Sequence, residues 1–417
     1  MRLKTGIRHG IGGGLPALFA AAAALMVTTG QAAAQDTDRP RARDLGVPFD
    51  GTPGPLNAIT DVPGVTVGHT TIIRGSGPLV VGEGPVRTGV TAIWPRGNDD
   101  PAPVFAAWFS LNGDGEMTGT TWVEDRGMMD TPLMITNTLS VGIVHHAVIR
   151  YGAAKSVETG SGAWLNALPV VAETWDGTLN DIRGQHVTEA DAIAAMESAT
   201  GGPVVEGNVG GGTGMRCHRF KAGIGTASRV VEVGDATYTV GVLVQCNYGS
   251  RDLLRVAGVP VGQEIPDLLP ERPAPDGGAD SPAEPPPASR DGSIIVVVAT
   301  DAPLLPNQLK RVSRRISLGL ARNGSVSTGG SGDIFMAFST ANREATVAGE
   351  GEVPLVMLPN GRLDGIFRAT VEGTEEAVIN ALVAGETMTG ANDWTIHALP
   401  HDRLRDILRR YNRLVGG

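Results

Sequence analysis

Ser293 stands between a long proline-rich stretch and the apolar run IIVVVAT, directly after Gly292. A serine there can attack the carbonyl that precedes it, provided the backbone holds the hydroxyl against that carbon, and so shift the acyl group from nitrogen to oxygen. Hydrolysis of the ester would leave Ser293 with a free amine, a general base next to its own hydroxyl. A polar residue that merely opens a strand is the plainer alternative. Ser331 and Asp333, two residues apart, share one face if extended and could relay a proton to that amine. They could equally bond to their own backbone in a turn. Asn247, after the run VGVLVQC, offers an amide to a developing oxyanion, and GNVGGGTGM (207–215) could offer bare backbone N–H groups. Glu173, at the end of ALPVVAE, could receive a cationic amine or be a surface carboxylate at a strand end.

Other chemistries find less support. No Gly-Lys-Ser or Gly-Lys-Thr follows either glycine run, and the G-x-G-x-x-G pattern lacks its placed acid, so no nucleotide cofactor is expected. No metal is expected either, because His145 and His146 diverge on a helix and Cys217-His218 has no second close pair. A G-x-S-x-G elbow is missing. Cys217 and Cys246 could join, as an accessory rather than a scaffold. Trp108, Trp122 and Trp175 could line a pocket or fill core. The formal charge of −10 offers nothing to a phosphate backbone, so nucleic acid is not an expected partner.

These residues need a frame, and the sequence describes one. Arg2, Lys4 and Arg8 precede the apolar stretch 11–27 and the run Ala32-Ala33-Ala34, the pattern of a signal peptide over 1–34 rather than a membrane anchor. No later segment is apolar enough to span, so an exported protein, periplasmic or secreted, with no membrane span after processing is expected. Residues 35–57 read as a polar tail or arm. Short apolar runs punctuated by glycine and proline from Ile59 to Pro95 read as strands and hairpins. VFAAWFSLNGDGEMTG reads as a buried strand entering a glycine-rich turn, SVGIVHHAVIRYGAA as a helix capped by Asn137 or Ser140, and TEADAIAAMESAT as a second helix. Strands follow at ALPVVAET, at GIGTASRVVEV and TYTVGVLVQCNYG joined through Gly234-Asp235-Ala236, and at SIIVVVAT and IFMAFST. Helices are expected over Asn307–Leu320, Asp364–Leu382 and His401–Leu414. Asp267 to Arg290 cannot bury a face and reads as an exposed loop. Strands interleaved with helices on both sides of it suggest a layered α/β protein whose sheets are shared across the loop.

Seven stretches in one order then carry a resemblance: NGDGEMTG, TNTLSVGIVHHAV, PVVAETWDGTLND, GNVGGGTGMRCHRFKAGIGTASR, VLVQCNYGSRDLLRVAGVPVG, DGSIIVVVATDAPL and STGGSGDIFMAFSTAN. They resemble the P1, or S58, peptidase family of DmpA-like L-aminopeptidase/D-esterases and β-peptidyl aminopeptidases, over nearly all of the chain after the leader. The resemblance implies a four-layer αββα sandwich of the DmpA/ornithine acetyltransferase type, similar to N-terminal nucleophile hydrolases. It implies self-cleavage between Gly292 and Ser293 into α (35–292) and β (293–417) subunits that form one structural domain, assembled as a tetramer of heterodimers. It gives Ser293 the nucleophile's part, Asn247 the oxyanion, Ser331 and Asp333 proton transfer, and Glu173 the substrate's amine. It needs no cofactor and implies small peptides, amino-acid amides or esters as substrates, with L-, D- or β-residues undecided. Trp175 stands where the resemblance leads one to expect a tyrosine, and an indole donates a hydrogen bond but accepts none. An acyltransferase of the ornithine acetyltransferase type and a non-catalytic periplasmic peptide-binding protein are the alternatives.

Overall fold

The computed structural model describes residues 39–160, 167–272, 292–347 and 349–416. In chain order the strands are β1 (Thr66–Arg74), β2 (Val86–Trp94), β3 (Val104–Gly113), β4 (Met128–Met129), β5 (Leu133–Asn137), β6 (Val170–Thr174), β7 (Arg216–Cys217), β8 (Phe220–Lys221), β9 (Ile224–Val233), β10 (Ala236–Tyr248), β11 (Gly292–Thr300) and β12 (Gly332–Ser339), followed by a minor hairpin, β13 (Met388–Thr389) and β14 (Thr395–Ile396). The helices are α1 (Thr120–Arg126), α2 (Val141–Thr159), α3 (Glu189–Glu197), α4 (Val261–Glu264), α5 (Pro306–Arg322), α6 (Arg343–Val347), α7 (Asp364–Val383) and α8 (His401–Arg410). One sheet has the order β1-β2-β5-β6 and the other β4-β3-β12-β11-β10-β9.

β11 explains why the layers stack. It is parallel to β12 and antiparallel to β10, with no residue exposed. Ile294, Val296 and Val298 join the core under α5 and α7, while Ile295, Val297 and Ala299 join Ile93, Leu133, Ile135 and Ala172 of the other sheet. A run this apolar belongs in a sheet covered on both faces. Each such side chain contributes about 1.5–3 kcal/mol of burial. α2 and α3 cover the outer face of the four-stranded sheet through Val144, Ala147, Val148, Ala192 and Ala195 against Val90, Ala92 and Met134. Helix, sheet, sheet, helix is the order of layers, as the sequence led us to expect. Among the described residues no helix is long and apolar enough to cross a membrane.

Several expectations need correction. β3 is only partly buried, since its outer neighbour β4 is two residues long, and α1 follows the turn after it. α8 stops at Arg410, four residues short of Leu414. The described part of the tail, 39–57, is docked. Arg41 pairs with Glu206, the Ala42 amide donates to Asn380, and Arg43 pairs with Glu376. Glu376 also accepts from Arg229 and Asn57. Of the stretch 267–290, residues 267–272 are held as well: the Asp267 and Leu268 carbonyls accept from Arg251, and Glu271 bridges Thr395. The rest of it, and the leader 1–34, lie outside the described residues.

Burial pushes the Glu376 carboxyl up, but the Arg43 hydrogen bond and the Arg229 charge outweigh it and hold its pKa below 4.5. Its stabilisation is therefore present above the ordinary glutamate range and lost as pH falls through the lowered value. Glu376→Gln leaves the buried Arg229 only the longer 3.9 Å contact to Glu372 and is expected to cost on the order of 3 kcal/mol in urea unfolding at pH 7. A midpoint unchanged from the parent protein would show that the cluster is neutral.

Candidate active site

The start of β11 brings the predicted residues to one place. Ser293 is buried and opposite Asn247 in the antiparallel pairing with β10, and beside Gly332 in the parallel pairing with β12. The Gly332 amide donates to Ser293 Oγ at 3.3 Å. Ahead of it, Gly292 has φ +89°, and a Cβ there would lie 1.8 Å from the Asn247 carbonyl oxygen. Only glycine fits that position without moving β10.

Asn247 is held on both sides. Its Oδ1 accepts from the Arg216 amide at 3.0 Å, and its Nδ2 donates to the Trp175 carbonyl at 2.9 Å. An amide nitrogen carries two hydrogens, so that bond uses only one of them. Two residues earlier Gln245 spans the same gap between sheets, donating to the Thr136 carbonyl and the Thr174 hydroxyl.

Glu173 is the last residue but one of β6 and is 3% exposed, so the surface-carboxylate alternative fails. The turn after β3 folds over it through the Met117–Ala172 bridge, and the Glu116 amide donates to Oε1 at 2.9 Å. The Thr138 hydroxyl, just before α2, donates to Oε2. Burial raises the Glu173 pKa against these two bonds. A Cβ on Gly115 would lie 3.1 Å from Glu173 Oε1 and 3.3 Å from Gly332 Cα, which sets this carboxyl near Ser293 with glycine backbone between. Trp175, two residues on, is 42% exposed and lies against Gly177.

Ser331 Oγ donates to Asp333 Oδ1 at 2.6 Å, so the two bond to each other rather than to their own turn. The Ser327 hydroxyl donates to the other oxygen. Burial pushes the Asp333 pKa up, while these hydroxyls pull it down.

The glycine run 207–215 does not serve as expected. The Gly210 and Gly211 amides donate to the Thr71 and Thr91 hydroxyls and the Gly212 amide to the Val209 carbonyl, so these N–H groups are spent inside the fold. The backbone donor at the nucleophile is Gly332 instead. Trp122 is also elsewhere, donating to Asp130 under Arg126, and Trp108 packs on the inter-sheet core. Thr138, Glu116, Arg216 and Ser327 escaped the sequence reading. All four lie within the quoted motifs, Ser327 as the first residue of one, but nothing in a residue type announces that its hydroxyl or amide will serve a neighbour's side chain. Cys217 and Cys246 form a disulfide, joining β7 to β10 on either side of Arg216 and Asn247.

The sequence profile described as Peptidase family S58 matches residues 57–396. The chain belongs to that family. Over 398 residues this S58 peptidase is 53% identical to the β-peptidyl aminopeptidase BapA of Sphingosinicella microcystinivorans, covering 95% of this chain and 98% of that one. Its fold is similar to the L-aminopeptidase D-Ala-esterase/amidase of Ochrobactrum anthropi, with a TM-score of 0.81, 47% identity and coverage of 90% and 100% of the two chains. A Burkholderia sp. β-aminopeptidase gives a TM-score of 0.77 at 44% identity, covering 89% and 99%. The four-layer αββα fold is thus of the N-terminal nucleophile hydrolase kind. The S58 peptidase is a self-processing serine-type aminopeptidase, amidase and esterase acting on peptides, amides or esters.

Closing a loop of this length, the Cys217–Cys246 bond is worth roughly 2–4 kcal/mol. Replacing both cysteines by alanine is expected to lower the urea midpoint accordingly and, by loosening Arg216 from Asn247, to lower kcat. Unchanged kcat in the folded double variant would show that Asn247 is held without the bridge.

Proposed function

We propose that this S58 peptidase cuts itself between Gly292 and Ser293 and then uses the new N-terminal serine as its nucleophile. The observation that carries this reading is the position of Ser293 as the second residue of a buried strand, opposite Asn247 and beside the Gly332 amide. In processing, Ser293 Oγ attacks the Gly292 carbonyl carbon. The C–O bond forms, the C–N bond breaks as nitrogen takes up the proton, and water splits the ester to leave a carboxylate on Gly292 and an amine on Ser293. The α part (35–292) and β part (293–417) stay in one domain.

In turnover, the Ser293 amine takes the proton from its own hydroxyl, which attacks the acyl carbon of the substrate. The second Asn247 N–H and the Gly332 amide stabilise the oxyanion. Glu173 holds the substrate's ammonium, and Ser331 with Asp333 carries the proton to the leaving amine. Water then releases the acyl group. Trp175 forms a wall of the entrance without a phenol's proton chemistry. The names of the Sphingosinicella and Burkholderia relatives support β-aminoacyl peptides and amides as the preferred class. Export to a periplasmic or extracellular space is supported by the leader pattern and by the disulfide. A tetramer of αβ units is supported by the family resemblance.

Ser293→Ala is expected to remain one inactive chain, and the parent to yield a fragment beginning Ser-Ile-Ile, read by intact mass and N-terminal sequencing. Two fragments from the alanine variant would sink the mechanism. Gly292→Ala should slow processing at least tenfold, because its Cβ must push β10 away. As pH falls through the raised pKa of Glu173 its charge is lost, so KM for an amine-bearing substrate should rise while KM for the matching desamino ester stays level. Parallel changes in both would remove Glu173 from amine binding.

A further inference from the structure

Self-processing consumes a water, and the fold has a place for one on the face of β11 turned away from the Ser293 hydroxyl. Ile295 and Val297 face the other sheet, and Ser293 shares their side by alternation along the strand. Ile294 faces the layer of α5 and α7, as does Tyr248 at the end of β10, and Asp333 lies beside Ile294 in the pairing with β12. Tyr248 is paired with Gly292 itself. Ser331 stands one residue before Gly332, the partner of Ser293. Tyr248 and Ser331 therefore flank the scissile glycine, which has no side chain to part them.

The two line one cavity, together with Ser250, Ser325, Ser327 and Thr328. Its volume of about 10 Å³ is room for a single water. A water held there needs polar partners of both kinds. Ser331 and Ser327 spend their hydrogens on Asp333, so their oxygens remain acceptors. Tyr248 is the complementary donor: it is buried, and its Oη has no partner. The His218 ring packs edge-on against it at a centroid distance of 5.0 Å but does not take the bond. His218 Nδ1 is committed to the Ser250 carbonyl at 2.9 Å, and its Nε2 is itself without a partner. Burial holds the Tyr248 pKa well above the ordinary phenol value, so the hydroxyl keeps its hydrogen. A buried hydroxyl left unbonded is costly, and a water shared with Ser331 removes that cost.

We propose that this cavity binds the water that completes self-processing, held by the Tyr248 hydroxyl as donor and the Ser331 hydroxyl as acceptor, which makes Tyr248 a catalytic residue of the processing reaction. This rests on the reading that the chain cuts itself between Gly292 and Ser293, and it names the water which that reading requires. The bond from Tyr248 takes one lone pair of the water and the bond to Ser331 one of its hydrogens. The other lone pair attacks the Gly292 carbonyl carbon once the acyl group has moved to Ser293 Oγ. A C–O bond to the water forms and the bond to Oγ breaks. Oγ takes up one proton of the water, while the other replaces the Ser331 hydrogen as that passes to Asp333. A carboxylate remains on Gly292. Oγ and the water thus reach one carbon from opposite faces of the strand.

The test is a time course of the freshly expressed full chain, quenched in acid, with half of each sample treated with neutral hydroxylamine before intact-mass analysis. Hydroxylamine cleaves esters and spares amides, so an ester at Ser293 is released as an α part ending in a Gly292 hydroxamate. Tyr248→Phe keeps the ring against His218 and removes only the oxygen. It should be cut about tenfold more slowly, the worth of about one hydrogen bond, and its uncut fraction should yield more hydroxamate than the parent's. Cutting at the parental rate would overturn the proposal. So would slow cutting with no extra hydroxamate, because the loss would then precede the ester. Crystals of the uncut Ser293→Ala chain should show an ordered water bonded to Tyr248 Oη and Ser331 Oγ. Its absence there also overturns the proposal, and this measurement decides alone should Tyr248→Phe not fold. Ser293→Ala separates the two levels as well: two fragments from it sink the cleavage reading and the proposal with it, whereas an intact Ser293→Ala beside a normally cut Tyr248→Phe sinks only the water site.

Discussion

The pairing of β11 between β10 and β12 fixes the geometry on which the rest depends. Sliding β11 by one residue would turn Ser293 from the inter-sheet side to the helix side and push Ile294, Val296 and Val298 out of the core under α5 and α7. The apolar residues on both faces of this strand therefore hold the hydroxyl in register as firmly as they hold the layers together. Gly292 permits the register because it can pass close to the Asn247 carbonyl, where a side chain would collide. Packing and chemistry are specified by the same nine residues.

The second constraint is polar. Gln245 and Asn247 point from one sheet into the other and bond to Thr136, Thr174 and Trp175. Amides in such a position are tolerated only when bonded, and these bonds set the distance between the sheets at the site's end of the sandwich. The Trp175 carbonyl and the Glu173 carboxyl lie two residues apart at the end of β6, so the group that orients Asn247 and the group proposed to hold the amine are carried by the same strand end.

The layered architecture was legible because its strands and long helices announce themselves. SIIVVVAT has no polar residue between its serine and its final threonine, and the stretches of α5 and α7 carry apolar residues at helical spacing. The ordered motifs named the family, which composition could not have done. Ser293, Asn247, Glu173, Ser331 and Asp333 do converge on one end of the sandwich. What the sequence concealed were the partners that set their direction. The amide of Arg216 and of Gly332 is the same group every residue carries, and its role depends on where the chain returns in space. The glycine run misled for the same reason: three bare N–H groups look available until the Thr71 and Thr91 hydroxyls are seen to take two of them. The stretch 35–57 read as a polar tail or arm because the carboxylates its arginines meet lie more than 150 residues away in sequence.

That tail has one more effect. In the six-stranded sheet β12 and β11 occupy the middle, with β3 on one flank and β10 on the other. If scission falls ahead of Ser293, as proposed, those middle strands would belong to a different polypeptide from their flanks, as Glu376 and Asn380 would from Arg43, Arg229 and the Ala42 amide. Drawing the pieces apart would open a sheet at two seams and strand opposite charges in separate interiors. On that proposal the nicked molecule would hold together as one body, each half completing the other's sheet and charge pairs.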